Sequence, residues 1–140
     1  VLPLSGTAHW RFLTPLRLRK QGRLVRPEAL RPADVLMALV RRVSLLASAH
    51  GGGPIKADFK ALKDQARGLG WQTSSFGWRE VIRYSSRQGE VIRMGGIVGA
   101  AEIALEDLAP FASFLALMPD LGIGKGASMG LGHATLEPVP

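Results

Sequence analysis

The chain has 140 residues, 46% hydrophobic and 21% charged, the size and balance of one globular domain rather than of a disordered or fibrous chain. It lacks cysteine, which excludes disulfide frameworks and thiolate metal sites and fits the cytoplasm, and its greasiest stretch, Gly95 to Met118, is broken by Glu102, Glu106, Asp107 and Pro110, so no membrane span is expected. The formal net charge is +7, and 13 of the 18 basic residues are arginine, whose planar fork suits phosphate, so the balance favours a polyanionic partner over an inert basic surface.

The opening Val-Leu-Pro-Leu has neither an initiator Met nor a charged leader segment, and it reads as an internal point of a longer protein. From Ala8 to Arg19, Leu16 and Leu18 alternate with Arg17 and Arg19, a strand with one wet face. Arg31-Pro32-Ala33-Asp34 is a helix start, with proline in the first turn and an acid at the positive end of the dipole. Val35, Leu36, Leu39, Val40, Val43, Leu46 and Ala47 form one face of that helix up to His50, before Gly51-Gly52-Gly53. A shorter helix is predicted from Asp58 to Arg67, turning Phe59, Leu62 and Ala66 inward.

Trp78 to Ser85 and Glu90 to Leu105 are predicted strands around Arg87-Gln88-Gly89, a connection of hairpin type. Asp107 is placed to cap a third helix whose Leu108, Phe111, Phe114, Leu115 and Met118 form a stripe up to Pro119. A last strand carries Ala134, Leu136 and Val139. The order β, α with an extra helix, β, β, α, β is that of an α+β, ferredoxin-like split βαβ sandwich, a single domain over residues 1–140 with helices on one sheet face.

Residues 121–137 read LGIGKGASMGLGHATLE. Glycine costs about 0.5 to 1 kcal/mol against alanine in regular structure, so five of them call for a geometric reason. The GxGxxA match at Gly122–Ala127 does not fit dinucleotide binding, because a helix precedes it where a strand is required. A phosphate-binding P-loop fails as well, since Gly124-Lys125 is followed by Gly126 rather than by Ser or Thr. Two readings remain: a loop whose bare amides and Lys125 approach a phosphate backbone, or a tight packing device against the sheet or another domain.

Gly122-x-Gly124-x5-Gly130-x-Gly132, between the last helix and the last strand, resembles the glycine-rich loop of the RAMP superfamily, the repeat-associated, RRM-like RNA-binding proteins of CRISPR systems. Phe12-Leu13-Thr14-Pro15-Leu16-Arg17-Leu18, the helix with Arg41-Arg42, Arg83-Tyr84-Ser85-Ser86-Arg87-Gln88 and Gly95-Gly96-Ile97-Val98-Gly99 resemble the C-terminal half of that superfamily's precursor-CRISPR-RNA endoribonuclease. The resemblance implies a separate N-terminal ferredoxin-like half, binding of CRISPR repeat RNA, contact with other CRISPR ribonucleoprotein subunits, and cleavage needing neither metal nor other cofactor. In that chemistry a ribose 2′-OH attacks the adjacent phosphate and the 5′-oxygen leaves, so a general base, a general acid and cationic stabilisation suffice. A RAMP subunit that only scaffolds guide RNA, and a protein-assembly module, are the alternatives.

The candidate RNA contacts are Gly122, Gly124, Lys125, Gly126, Ser128, Gly130 and Gly132 in the loop, with Arg83 and Arg87 beside the hairpin turn. Trp10-Arg11-Phe12, Trp78-Arg79 and Arg83-Tyr84 interleave basic and aromatic residues as single-strand binders do, though core aromatics beside a solvated face give the same pattern. Met94 to Leu105 carries no aromatic, which disfavours stacking on an open sheet. Arg41 and Arg42 fit either a basic helix face or an inter-domain contact. Of the histidines, His50 reads as a helix end and His9 as a strand end; His133, next to the loop, is the best placed for acid–base work, and the catalytic residues are otherwise expected outside the chain. No carboxylate or histidine spacing suits a metal.

Overall fold

The computed structural model describes residues 5–50, 53, 55–87, 89–127 and 130–139. Four strands form the main sheet: β1 (Thr7–Leu16), β4 (Thr73–Arg79), β7 (Gly96–Ala104) and β8 (Ala134–Pro138), in the order β4-β7-β1-β8, each neighbour antiparallel. The split βαβ arrangement requires this order, because each pair of strands joined by a helix is separated by one strand of the other pair. Two small ribbons stand outside the sheet, β2 (Arg19–Lys20) with β3 (Arg23–Leu24) and β5 (Ile82–Ser85) with β6 (Glu90–Arg93). The long helix α1 spans Pro32–Ala49 and the extra helix α2 Phe59–Arg67.

Register fixes which face is buried, since paired residues of an antiparallel ladder share a side. Trp10 lies opposite Ala101 and Leu136, and Phe12 opposite Gly99 and Ala134. This face meets Val35, Leu36, Leu39 and Val43 of α1 and Leu62 and Ala66 of α2 in one core. Trp71 sets its edge against both Trp10 and Phe76, with centroids 6.0 and 5.6 Å apart, and each such aromatic pair adds about 0.5–1.5 kcal/mol to the area term. The opposite face, with His9, Arg11, Glu102, Ser75 and Glu137, is open and carries no aromatic ring among the described residues.

Three elements differ from their sequence-based bounds. The first strand ends at Leu16, not Arg19: its pairing with β7 slips between Phe12 and Leu16, and Leu13 and Thr14 turn their amides to the His133 carbonyl instead. The hairpin strands are each broken. Glu80 accepts from the Gly95 amide (3.0 Å) and the Trp78 indole (3.3 Å), forming a neck that separates the β4–β7 pair from the β5–β6 ribbon. A Cβ on Gly95 would lie 2.6 Å from that indole nitrogen, so the neck admits glycine there.

The third helix is a chain of short turns, α3 (Leu105–Leu108), a 3-10 turn (Ala109–Phe111), α4 (Ala112–Leu115) and α5 (Met118–Leu121). Pro110 removes one helical donor and Pro119 opens the last turn. The apolar stripe is buried as read, but Asp107 lies inside α3 rather than at its cap, which is Ala104. The other helix starts agree with their signals: Asp34 accepts from the Arg31 amide (3.0 Å), and Asp58 caps α2 through the Ala61 amide (3.0 Å). His50 is the C-cap of α1; Gly51 and Gly52 lie outside the described residues.

Candidate nucleic-acid interface

The glycine-rich segment runs from α5 to β8 and folds back on the end of β1. Gly122, Gly124, Gly126, Gly130 and Gly132 all have positive φ, between 70° and 91°, which side-chain-bearing residues rarely adopt. Space adds a second requirement. A Cβ on Gly132 would lie 1.8 Å from the Ile123 carbonyl oxygen, and one on Gly124 would lie 2.4 Å from that of Arg17. At Gly130 nothing lies within 4 Å, so there the backbone angle alone asks for glycine.

Most of the loop's amides are engaged. Lys125 N donates to Arg17 O (2.9 Å), Gly132 N to Pro15 O (2.9 Å), Ile123 N to Gly132 O (3.0 Å) and Leu131 N to Gly126 O (3.2 Å). The Thr14 hydroxyl donates to Gly130 O (2.8 Å) and accepts from His133 N (2.9 Å), fastening the loop to the slipped part of β1. The amides of Gly124 and Gly126 have no backbone carbonyl partner among the described residues. The loop is therefore held by hydrogen bonds both within itself and to the end of β1, and it leaves the Lys125 side chain exposed. Ser128 lies outside the described residues.

Lys125 and Gly124 form one wall of an open groove of about 900 Å3. The β2 ribbon adds Arg19 and Lys20, α1 adds Arg41 and Arg42, α2 adds Lys63 and Arg67, and Arg17 stands at the end of β1. Eight cations thus face a single carboxylate, Asp34, which is already paired with Lys20 at 3.5 Å. Three of the eight also bond backbone carbonyls: Arg17 donates to that of Gly95, Arg19 to that of Gly22 (3.1 Å) and Arg42 Nε to that of Leu121 (2.9 Å). The side chains of Arg41, Lys63, Arg67 and Lys125 have no ion-pair or hydrogen-bond partner among the described residues. A second cleft of about 630 Å3, between residues 27–32 and β4, is lined by one cation, Arg31, and one acid, Glu28. The first groove is thus the more cationic of the two, and it is the candidate site for an anion.

The sequence candidates fall into two places. Gly124 and Lys125 join Arg41 and Arg42 at the groove, whereas Arg83 and Arg87 sit on the β5–β6 ribbon. Lys63 and Arg67 were not singled out beforehand, although their four-residue spacing puts both on one side of α2. Of the interleaved aromatics, Trp10 and Phe12 are core, and Trp78 is half-buried with Arg26 4.2 Å above its ring. Tyr84 is exposed. His133 is half-buried, with its backbone amide and carbonyl both bonded to β1. His9 stands 3.9 Å from Glu102 on the open sheet face.

The chain thus combines a ferredoxin-like sheet backed by helices with a glycine-rich loop beside a basic groove. The sequence profile of the CRISPR-associated endoribonuclease Cas6 matches residues 10–134, and the chain belongs to that family. Among solved structures it is similar to a Cas6 (TTHA0078) product complex, at 24% identity and a TM-score of 0.63 over 97% of this chain and 53% of that one. Thermus thermophilus Cas6 (TTHB231) gives 21% identity and a TM-score of 0.65 over 96% and 54%. A partial Cas6-RT-Cas1–Cas2 complex gives 18% and 0.67 over 96% and 23%. No curated protein matches the chain significantly. The chain thus spans about half the length of the first two structures.

Proposed function

We propose that this chain is the RNA-binding C-terminal half of a Cas6 endoribonuclease that cleaves precursor CRISPR RNA within its repeats without a metal. The carrying observation is the groove in which eight cations from five separate segments converge on one side of the molecule, with a single, already paired carboxylate. Such a surface tracks a phosphate backbone and neutralises it independently of base sequence. Lys125 supplies a point charge and the Gly124 and Gly126 amides supply donors at its edge, while Arg83 and Arg87 offer further phosphate contacts from the ribbon. The 2′-OH attack needs a base, an acid and charge stabilisation; this half contributes the last of these, and an N-terminal ferredoxin-like half contributes the proton transfers.

The test is incubation of the full-length protein and of residues 1–140 with a labelled repeat RNA in EDTA. The full-length protein cuts it under multiple turnover. Residues 1–140 alone bind weakly and do not cut. Cleavage by the fragment would place a catalytic group in this half, and His133→Ala would then be the first variant to make.

A further inference from the structure

The β5–β6 ribbon is the one part of the described chain where large apolar side chains gather without a core. It pairs with no strand of the main sheet, and every residue of its two strands except Ser85 is exposed. Its register sorts the side chains. Ile82 pairs with Arg93 and Tyr84 with Val91, so these four share one face; Arg83 with Ile92 and Ser85 with Glu90 share the other. Ile82, Tyr84 and Val91 are 56%, 80% and 48% exposed. A two-stranded ribbon wetted on both sides is marginal by itself, and a contiguous exposed apolar face marks a surface that meets something.

Charge indicates what it meets. Residues 82–93 contain Arg83, Arg87 and Arg93 against Glu90, and Glu90 lies on the face away from Tyr84. The Tyr84 face is therefore apolar and cationic with no acid in it. A protein partner for such a face would bring carboxylates with apolar groups, whereas an unpaired nucleotide brings a flat apolar base and a phosphate on the same unit. The other rings of the basic–aromatic pairs are unavailable for stacking, since Trp10 and Phe12 are buried and Arg26 covers Trp78. The geometry points to the ribbon face of Ile82, Tyr84, Val91 and Arg93 as a stacking platform for an unpaired RNA base, with Tyr84 as the ring and Arg93 meeting the adjoining phosphate. This rests on the RNA-binding reading above and adds to it a preference for single-stranded over fully paired RNA at the ribbon.

The experiment uses the full-length protein with two probes: an unstructured oligouridylate RNA carrying a single 2-aminopurine, whose fluorescence is quenched by stacking, and a fully paired RNA duplex. Tyr84→Leu keeps apolar area and removes the ring; Tyr84→Phe keeps the ring. Tyr84→Leu should weaken the single-stranded probe by roughly five- to a hundredfold, the range expected for losing one stacked base, and should relieve protein-induced quenching. Tyr84→Phe should behave as wild type, and duplex affinity should not change for either variant. Wild-type affinity and quenching in Tyr84→Leu would overturn the platform while leaving the RNA reading intact. A Tyr84→Leu protein that binds RNA normally but changes its sedimentation would assign the face to a protein partner and also overturn it. Failure of the wild-type protein to bind either probe would overturn the RNA reading and the platform together.

Discussion

The glycine loop and the β5–β6 ribbon are both glycine- and cation-bearing connections, yet the structure uses them in opposite ways. In the loop, five glycines have positive φ, the carbonyls of Arg17 and Ile123 lie where Gly124 and Gly132 would carry a Cβ, and most amides are hydrogen-bonded within the loop or to the end of β1. In the ribbon, Gly89 makes a turn with nothing within 4 Å, and the side chains point into solvent. A glycine-rich stretch is therefore not of itself flexible. Here it is the better-fastened of the two, and what the fastening leaves outside is the Lys125 side chain.

Substitutions should separate the two regions by stability first. Gly132→Ala places a methyl 1.8 Å from the Ile123 oxygen at a φ of 71°, so it should cost about 3 kcal/mol or more in urea unfolding through combined overpacking and backbone strain. Gly130→Val keeps open space around its side chain but not the backbone angle, φ 91°. It should cost about 1–3 kcal/mol and weaken RNA binding in the population that remains folded. Excising the ribbon and joining Val81 to Met94, whose backbones already hydrogen-bond at 2.7 Å, through a two-residue Asn-Gly turn should change stability by less than about 1 kcal/mol, because no core residue is removed. If the excision destabilised the domain as much as Gly132→Ala, the contrast between the regions would be lost.

The sequence carried the fold well where its signals were local. Pro32 and Asp34, Asp58, and the stripes on α1 and before Pro119 each act within a turn or two of chain, and the structure bears them out. It carried less where distant partners decide. The end of β1 depends on Thr14 reaching Gly130 and His133, and the break in the hairpin depends on Glu80 bonding Gly95; neither pair is adjacent in sequence. The groove was legible only in pieces, as Lys125 and Arg41-Arg42, because assembling it requires the packing of α2 and the β2 ribbon around α1. The tryptophans misled for a related reason: a ring beside an arginine reads alike whether it faces the core or the solvent, and strand parity decides between them.

The central claim is that the loop's fastening presents Lys125 to a groove that binds phosphate. The most direct measurement is the salt dependence of repeat-RNA affinity in the full-length protein, comparing wild type with Lys125→Ala. The side chain is exposed and has no partner among the described residues, so unfolding midpoints should agree. Affinity should fall about equally for all RNA sequences, and the slope of log affinity against log salt should become shallower by roughly 0.7 to 1. An unchanged affinity and slope would show that the loop serves packing alone and that the groove's eight cations do not meet RNA at this wall.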